Sequence, residues 1–299
     1  VLTVSVPMPG LPLTSIDGKP YAWGTWGSPV AKVSEGGDNR LSVSAFNVSE
    51  TLNWVLTDWL TANANVGYNT STATRSQVEN AITYYNYLGD IQTLVDPIQA
   101  NSSYKQTSSR TDFYSVTGFL NAHKTFNNDH DLSLTLGAQY EFKEYTYFGA
   151  KVKDTQNGLE IINGSGEITL SGDEDKYQNA NMSYFGRFNY SYKDKYLLEV
   201  NGRYDGSSKF QPENRWDLFY GASLGWRIKQ EAFMQNIDWL SDLKLRISYA
   251  EMGNQSGIDN YDGVQLYNME TGTGAYVGDD KLSYIKTNGK MASNSRSWE

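Results

Sequence analysis

YFGRFNYSYKDKYLLEVNGRY, residues 184–204, reads as two strands folded over a turn at Lys193-Asp194-Lys195. Every second residue is uncharged: Tyr184, Gly186, Phe188, Tyr190 and Tyr192, then Tyr196, Leu198, Val200, Gly202 and Tyr204. The residues between them include Arg187, Glu199 and Arg203. Such a period of two belongs to a strand, whose successive side chains point to opposite faces. The pattern continues in Leu218, Tyr220, Ala222, Leu224, Trp226 and Ile228, and in Leu243, Leu245, Ile247 and Tyr249, against Asp217, Arg227, Lys244 and Arg246. With 20% of the chain charged, these 20 positions should hold roughly four charges by chance and hold none. Something apolar lies along that face.

Working outward, four further strands alternate in the first half, near 41–55, 59–69, 112–126 and 131–147. The second puts Leu60, Ala62, Ala64, Val66 and Tyr68 against Thr61, Asn63, Asn65, Gly67 and Asn69; the fourth puts Leu132, Leu134, Leu136, Ala138, Tyr140 and Phe142 against Ser133, Thr135, Gln139, Glu141 and Lys143. Connections alternate in length. Short ones fall at Thr57-Asp58, Asn127-Asn128-Asp129-His130 and Lys193-Asp194-Lys195, with a longer one over 229–242; long ones cover 70–111, 148–177, 205–215 and the stretch after Asn254. An up-and-down sheet then has all its tight turns on one side, as in outer-membrane barrels with short periplasmic turns and long outside loops. Tyr190, Tyr192 and Tyr196 crowd the tight-turn end, and Tyr68, Tyr140, Tyr204 and Tyr220 the other, as expected where a wall crosses a bilayer between two aromatic belts. The expected fold is all-β: about eight strands of an antiparallel up-and-down transmembrane β-barrel, with Arg187, Glu199, Arg203, Asp217, Arg227, Lys244 and Arg246 facing the lumen. A soluble lipocalin-like barrel or sandwich, its apolar face inward, is the alternative.

Composition narrows the function. Mean hydropathy of -0.57 and the lack of any run of roughly 20 apolar residues exclude a spanning helix but not a barrel, whose strands average out polar. A net charge of -9 argues against a nucleic-acid partner. The absence of Cys fits an exported chain. No signal-peptide pattern opens at Val1-Leu2-Thr3-Val4 and no recognisable ending closes at Ser297-Trp298-Glu299, so the expectation is a fragment.

Candidate chemistry is sparse. His123 and His130 flank a tight turn without a triad's companions, so no enzyme is expected. Asp173-Glu174-Asp175, Asp279-Asp280 and the 259–263 stretch offer oxygen ligands without a complete calcium-loop pattern, so neither a metal nor a cofactor is assigned. Loop aromatics Tyr21, Trp23, Trp26, Tyr84, Tyr85 and Tyr87 either stack on ligand rings at a pore mouth or pack against one another. Val78, Ile82, Tyr85 and Leu88 have helical spacing, which predicts a short loop helix.

From Arg203 onward the sequence resembles the SusC/RagA-type TonB-dependent outer-membrane transporters of Bacteroidetes. The matching residues are Arg203, Asp205-Gly206-Ser207-Ser208, Phe210, Asn214-Arg215-Trp216, Phe219, Ser223-Leu224-Gly225-Trp226-Arg227, Glu231, Phe233, Trp239-Leu240-Ser241, Leu243-Lys244-Leu245-Arg246, Ser248-Tyr249 and Gly253-Asn254-Gln255. Gly36-Gly37-Asp38-Asn39-Arg40 is similar to the family's approach to a strand, and Asn294 and Trp298-Glu299 to the start of its next one. Tyr220-Gly221 stands where the family often has proline, and Ala250-Glu251 where glycine is common. The resemblance implies a 22-stranded barrel of which this chain holds about one-third, with the plug domain elsewhere. It divides the chain into an extracellular region over 1–40, barrel wall over 41–254, and an outside loop with the next strand's start over 255–299. It further implies nutrient import at the bacterial outer membrane, of oligosaccharide or peptide, with a SusD-like surface lipoprotein as lid and the TonB complex acting through the plug. A passive porin or small outer-membrane barrel is the competing function, and a soluble glycan-binding β domain a third.

Overall fold

The computed structural model describes residues 12–22, 29–92, 102–162, 167–170, 175–234, 236–261, 267–270, 276–277, 280–281, 284–287 and 296–298. After a short helix α1 (Pro29–Glu35) come β1 (Gly37–Thr57), β2 (Leu60–Glu79), β3 (Tyr84–Tyr85), β4 (Ile91–Gln92), β5 (Ser103–Phe126), β6 (His130–Lys153), β7 (Ile168–Leu170), β8 (Asp175–Tyr192), β9 (Tyr196–Ser207), β10 (Trp216–Arg227) and β11 (Lys244–Ala250). The main sheet runs β1-β2-β5-β6-β8-β9-β10-β11, with β7 added beside β6. Small antiparallel pairs follow, β12 (Tyr267–Glu270) with β15 (Tyr284–Thr287), and β13 (Tyr276–Val277) with β14 (Asp280–Lys281).

All eight alternating segments are strands of this sheet, and several are much longer than the alternation. β5 and β6 have 24 residues each and β2 has 20. At roughly 3.4 Å per residue, 24 residues extend about 80 Å, whereas a tilted strand crosses a bilayer in about 9 to 11 residues. The added lengths, such as 70–79 and 103–111, are mostly polar, with Ala73, Val78 and Tyr104 at no regular alternation, so they carry no periodic signal and read as loop. They become strand because their neighbours supply backbone partners.

Two type I′ turns close the β5–β6 and β8–β9 hairpins. Asn127 and Asn128 have φ of 51° and 58°, Lys193 and Asp194 of 52° and 54°. The Asp129 and Lys195 amides donate back to the Phe126 and Tyr192 carbonyls at 3.1 and 2.9 Å. Positive φ at both central positions matches the turn's twist to that of the strands it joins. Adjacent turns are laced together: the Lys193 amide donates to the Asp129 carbonyl (2.6 Å) and the His123 amide to that of Trp59 (2.8 Å).

The chain divides into two compact units. The first takes Val1–Phe46, Thr70–Asp112 and Tyr145–Lys176; the second takes Asn47–Asn69, Phe113–Glu144 and Tyr177–Glu299. In the first unit, Ala22, Ala31, Ile82 and Tyr84 form one core, and Val78, Tyr104 and Val152 another with Ile162 against it. The predicted loop helix is absent. Val78 ends β2, Tyr84–Tyr85 pairs with Ile91–Gln92, and Tyr21 bridges Tyr85 in parallel. Backbone pairing with the N-terminal segment wins over helical spacing, because the run is too short to hold a helix by itself. Glu79 accepts from Ser103 Oγ (2.6 Å) and Lys151 Nζ (3.0 Å), and the Asn157 side chain spans both backbone groups of Ala81. Gly37, with φ of 111°, lies where a Cβ would overlap the Val78 carbonyl.

In the second unit Phe210 is the sole buried apolar residue among those described. Leu224, Leu245, Ile247, Tyr249 and Leu218 are all exposed. A lipocalin-like interior would have buried them.

Candidate functional site

Strand register decides which side chains share a face. Tyr184 pairs with Tyr204 and that with Leu218; Phe188 with Val200 and Ala222; Tyr190 with Leu198, Leu224 and Ile247; Tyr192 with Tyr196, Trp226 and Leu245. The charge-free positions of β8 to β11 are thus one continuous surface. Opposed residues in a ladder point the same way, so the pairings Arg187–Asn201, Asn189–Glu199–Ser223, Phe185–Arg203–Phe219, Asp205–Asp217, Gly225–Arg246 and Arg227–Lys244 put all seven predicted charges on the other face.

Aromatic clusters mark both ends of the apolar face. At the turns Tyr192 stacks with Tyr196 (6.3 Å between centroids) and His130 packs on Tyr192 (4.9 Å); toward the opposite ends Trp216 stacks on Tyr204 (5.0 Å) and Tyr184 (6.0 Å). Tyr68 and Tyr114 stack at 4.8 Å. From Tyr196 to Tyr204 is eight residues, about 27 Å along a strand, close to the ~25 Å apolar band of an outer-membrane barrel.

The polar face carries two clefts. One, of about 500 Å³, is lined by Thr117, Phe119 and Asn121 of β5, Thr135 of β6, Phe185 and Arg187 of β8, and Asn201 and Arg203 of β9. Arg203 is held: its Nε donates to Asp205 (2.6 Å), and its Nη2 to Ser183 Oγ (2.7 Å) and Gln139 Oε1 (3.2 Å). Gln139 in turn donates to Glu141 (2.7 Å). The Arg187 side chain has neither a hydrogen bond nor an ion pair among the described residues. Gly137 sits beneath the two phenylalanines. A Cβ there would meet the Phe185 ring and lie 2.7 Å from Phe119 Cβ and 2.8 Å from the Gly118 carbonyl. The second cleft, about 200 Å³, contains Asp131, Glu199, Lys244 and Arg246, charges of both signs. Arg227 pairs with Asp194 at the turn, and Asp217 faces Asp205 in register.

Sequence reasoning found the charges but missed Asn121, Asn201, Phe119, Phe185 and Gly137. The one available signal was Gly137 itself, the single position without a side chain in the polar column 133–143. Four of the six loop aromatics are described, all in the first unit. Tyr84 is buried at 2% exposure, the Tyr85 ring lies under Lys19 Nζ (4.7 Å), Tyr21 is half-buried, and Tyr87 is exposed. Trp23 and Trp26 lie outside the described residues, as do Asp173, Glu174, Asp279, Asp262, Gly263, Asn294 and Glu299. Among the described residues no three His, Asp or Glu gather as a metal site.

At the turn end Glu231 accepts from Tyr196 Oη (2.7 Å), Lys195 Nζ (3.0 Å) and Trp226 Nε1 (3.1 Å). These donors hold its carboxyl down to about 2, the tyrosine first. Nearby, Lys229 Nζ ties the Met234 (3.0 Å) and Ile237 (2.6 Å) carbonyls, which fixes the path of the 228–243 connection.

Comparison with known proteins places this geometry. A family model described as TonB dependent receptor-like, beta-barrel matches residues 10–290. The TonB-dependent receptor SusC of Bacteroides thetaiotaomicron is 39% identical over 123 residues, which are 41% of this chain and 12% of that protein. The TonB-dependent receptor P26 of Formosa agariphila is 48% identical over 92 residues, 31% of this chain and 9% of that protein. Among solved structures the RagAB peptide transporter superposes over 93% of this chain and 29% of its own, with a TM-score of 0.76 at 22% identity. The fold is shared, and the chain spans a small part of each relative.

Proposed function

Because the chain belongs to the TonB-dependent receptor-like β-barrel family, we propose that it forms part of the wall of an energy-coupled importer in the bacterial outer membrane. Its apolar face meets lipid and its polar face, with Arg187, Glu199, Arg203, Asp217, Arg227, Lys244 and Arg246, lines the lumen. The charge-free face supports this most directly. It stays registered across β8 to β11 and is left exposed, where water would forgo about 1.5 to 3 kcal/mol for each large side chain left unburied. Lipid removes that cost, and it explains the missing charges, since one Arg or Lys at the midplane costs about 2 to 4 kcal/mol.

By likeness to SusC and to the RagAB peptide transporter, the cargo is an oligosaccharide or a peptide. A SusD-like lipoprotein lid and the TonB complex, acting through a plug, are the partners. On this reading 1–40 and 255–299 lie mainly outside the membrane and 41–254 supply wall. Exposed Tyr87 is the best placed of the described loop aromatics to touch cargo or lid.

The faces are tested by single cysteines, since the chain has none of its own. A charged thiol reagent added to outer-membrane vesicles should modify the Ser223→Cys variant and spare Leu224→Cys, while brominated lipid quenches a fluorophore at 224 and not at 223. Equal labelling at both positions sinks the assignment. Loss of uptake on deleting the protein, and co-purification of a surface lipoprotein with it, test cargo and lid.

A further inference from the structure

We propose that the cleft between β5, β6, β8 and β9 receives a carboxylate, gripped by Arg187 with help from Asn121 and Asn201 and flanked by Phe119 and Phe185. The inference rests on the polar face lining a water-filled lumen, because an anion reaches the cleft only through water.

No Asp or Glu is among the lining residues. One of its acceptors is engaged: Thr135 donates to Asn121 Oδ1 at 2.7 Å, which leaves the Asn121 amide nitrogen as a donor. Asn201 lies directly across from Arg187 in the β8–β9 ladder, with Cβ atoms about 5 Å apart, and its side chain has no partner among the described residues. The two arginines differ. Arg203 is matched by Asp205, so its charge is satisfied within the wall. Among the described residues Arg187 is unmatched, which leaves the cleft's described lining with one net positive charge and a surplus of N–H groups.

A guanidinium presents a planar pair of donors that fits a carboxylate through two parallel bonds. One cation left unpaired among the described residues matches one negative charge, so a monoanion suits the site better than a phosphate dianion. The half-buried rings of Phe119 and Phe185 supply an apolar edge for the carbon skeleton that bears the acid. Gly137 leaves room for the Phe185 ring and for the Cβ of Phe119. An acidic sugar and the C-terminus of a peptide share this chemistry.

Thiol reagents of opposite charge test the site on the protein in its own outer membrane. Thr117→Cys puts a thiol on the cleft wall. The anionic methanethiosulfonate ethylsulfonate should react about tenfold faster than its cationic trimethylammonium counterpart, the low end of steering by a charged cleft. Arg187→Gln should abolish that preference, and Arg187→Lys should keep it. The cationic rate reports whether the cleft is still formed in each variant. Glucuronate or acetyl-dialanine at constant ionic strength should slow the anionic reaction while glucose does not. Protection by one acid, or by both, names the source. A preference that survives Arg187→Gln, or protection by neither acid, overturns the proposal while the lumen reading stands. A Thr117→Cys variant inert to both reagents overturns the lumen reading and this inference with it.

Discussion

In the first unit Val152 is fully buried and Tyr84 is 2% exposed, while in the second Leu224 is 61% and Ile247 68% exposed. Both regions are built from long antiparallel strands and both expose apolar side chains, Leu41, Val43 and Phe46 in the first among them, yet the first also encloses several, whereas the second buries only Phe210 among the described residues. The first encloses small cores and ties them with polar knots such as Glu79–Ser103–Lys151. The second keeps most of its aliphatic residues on one face and most of its charged groups on the other. The first therefore has buried cores like those of protein in water, and the second has the two-faced pattern expected of the proposed wall between lipid and water.

That contrast can be broken by substitution. Tyr84→Ala should be the most damaging change, about 3 to 5 kcal/mol, the range for large aromatics removed from cores. Hydrogen exchange should show the loss confined to the first unit. Leu224→Arg should follow at about 2 to 4 kcal/mol in a bilayer, read as a lower urea midpoint in lipid vesicles, with Ser223→Arg on the other face close to neutral. If the two arginines cost the same, the second unit has no lipid face. Gly137→Ala should cost about 1 to 3 kcal/mol by overpacking and should weaken the arginine cleft's preference for the anionic reagent, because the phenylalanines must shift.

The smallest effect belongs to Glu231. Its carboxyl sits at about 2 in the folded chain against an ordinary 4.5. The folded state favours the ionised form, so this contribution is complete above about pH 4.5 and fades as pH falls toward 2. Glu231→Gln should remove that acid limb from the unfolding profile while leaving the slope above pH 5 unchanged. An unaltered limb would mean the three donors do not hold the charge.

Much of the second unit was legible because its environment acts on every alternate residue. On the proposed reading, lipid on one side and water on the other impose a period of two and make a single charge out of phase costly, so Arg187, Glu199 and Arg246 announce their face from sequence. The turns were legible for a different reason. Asn127-Asn128 and Lys193-Asp194 lie between alternating runs, and the structure shows why, since both pairs take positive φ. The first unit was opaque. The stretches 70–79 and 103–111 are mostly polar, and their buried apolar members Val78 and Tyr104 fall at no regular alternation, so no phase shows; the spacing of Val78, Ile82, Tyr85 and Leu88 pointed to a helix that tertiary pairing of Tyr21 with Tyr85 replaced.

The cleft shows the same division inside one sheet. Periodicity put Arg187 and Arg203 on a common face, but it cannot say that one is neutralised by Asp205 and that the other has no side-chain partner among the described residues. Sequence by itself determined the strands, their phase and the charge-free face, because these follow from local geometry and the medium each face meets. Tertiary structure decided the strand lengths, the cores of the first unit and the partnering of each charge, because these depend on residues brought together from distant strands, as Arg203 and Gln139 are, 64 positions apart.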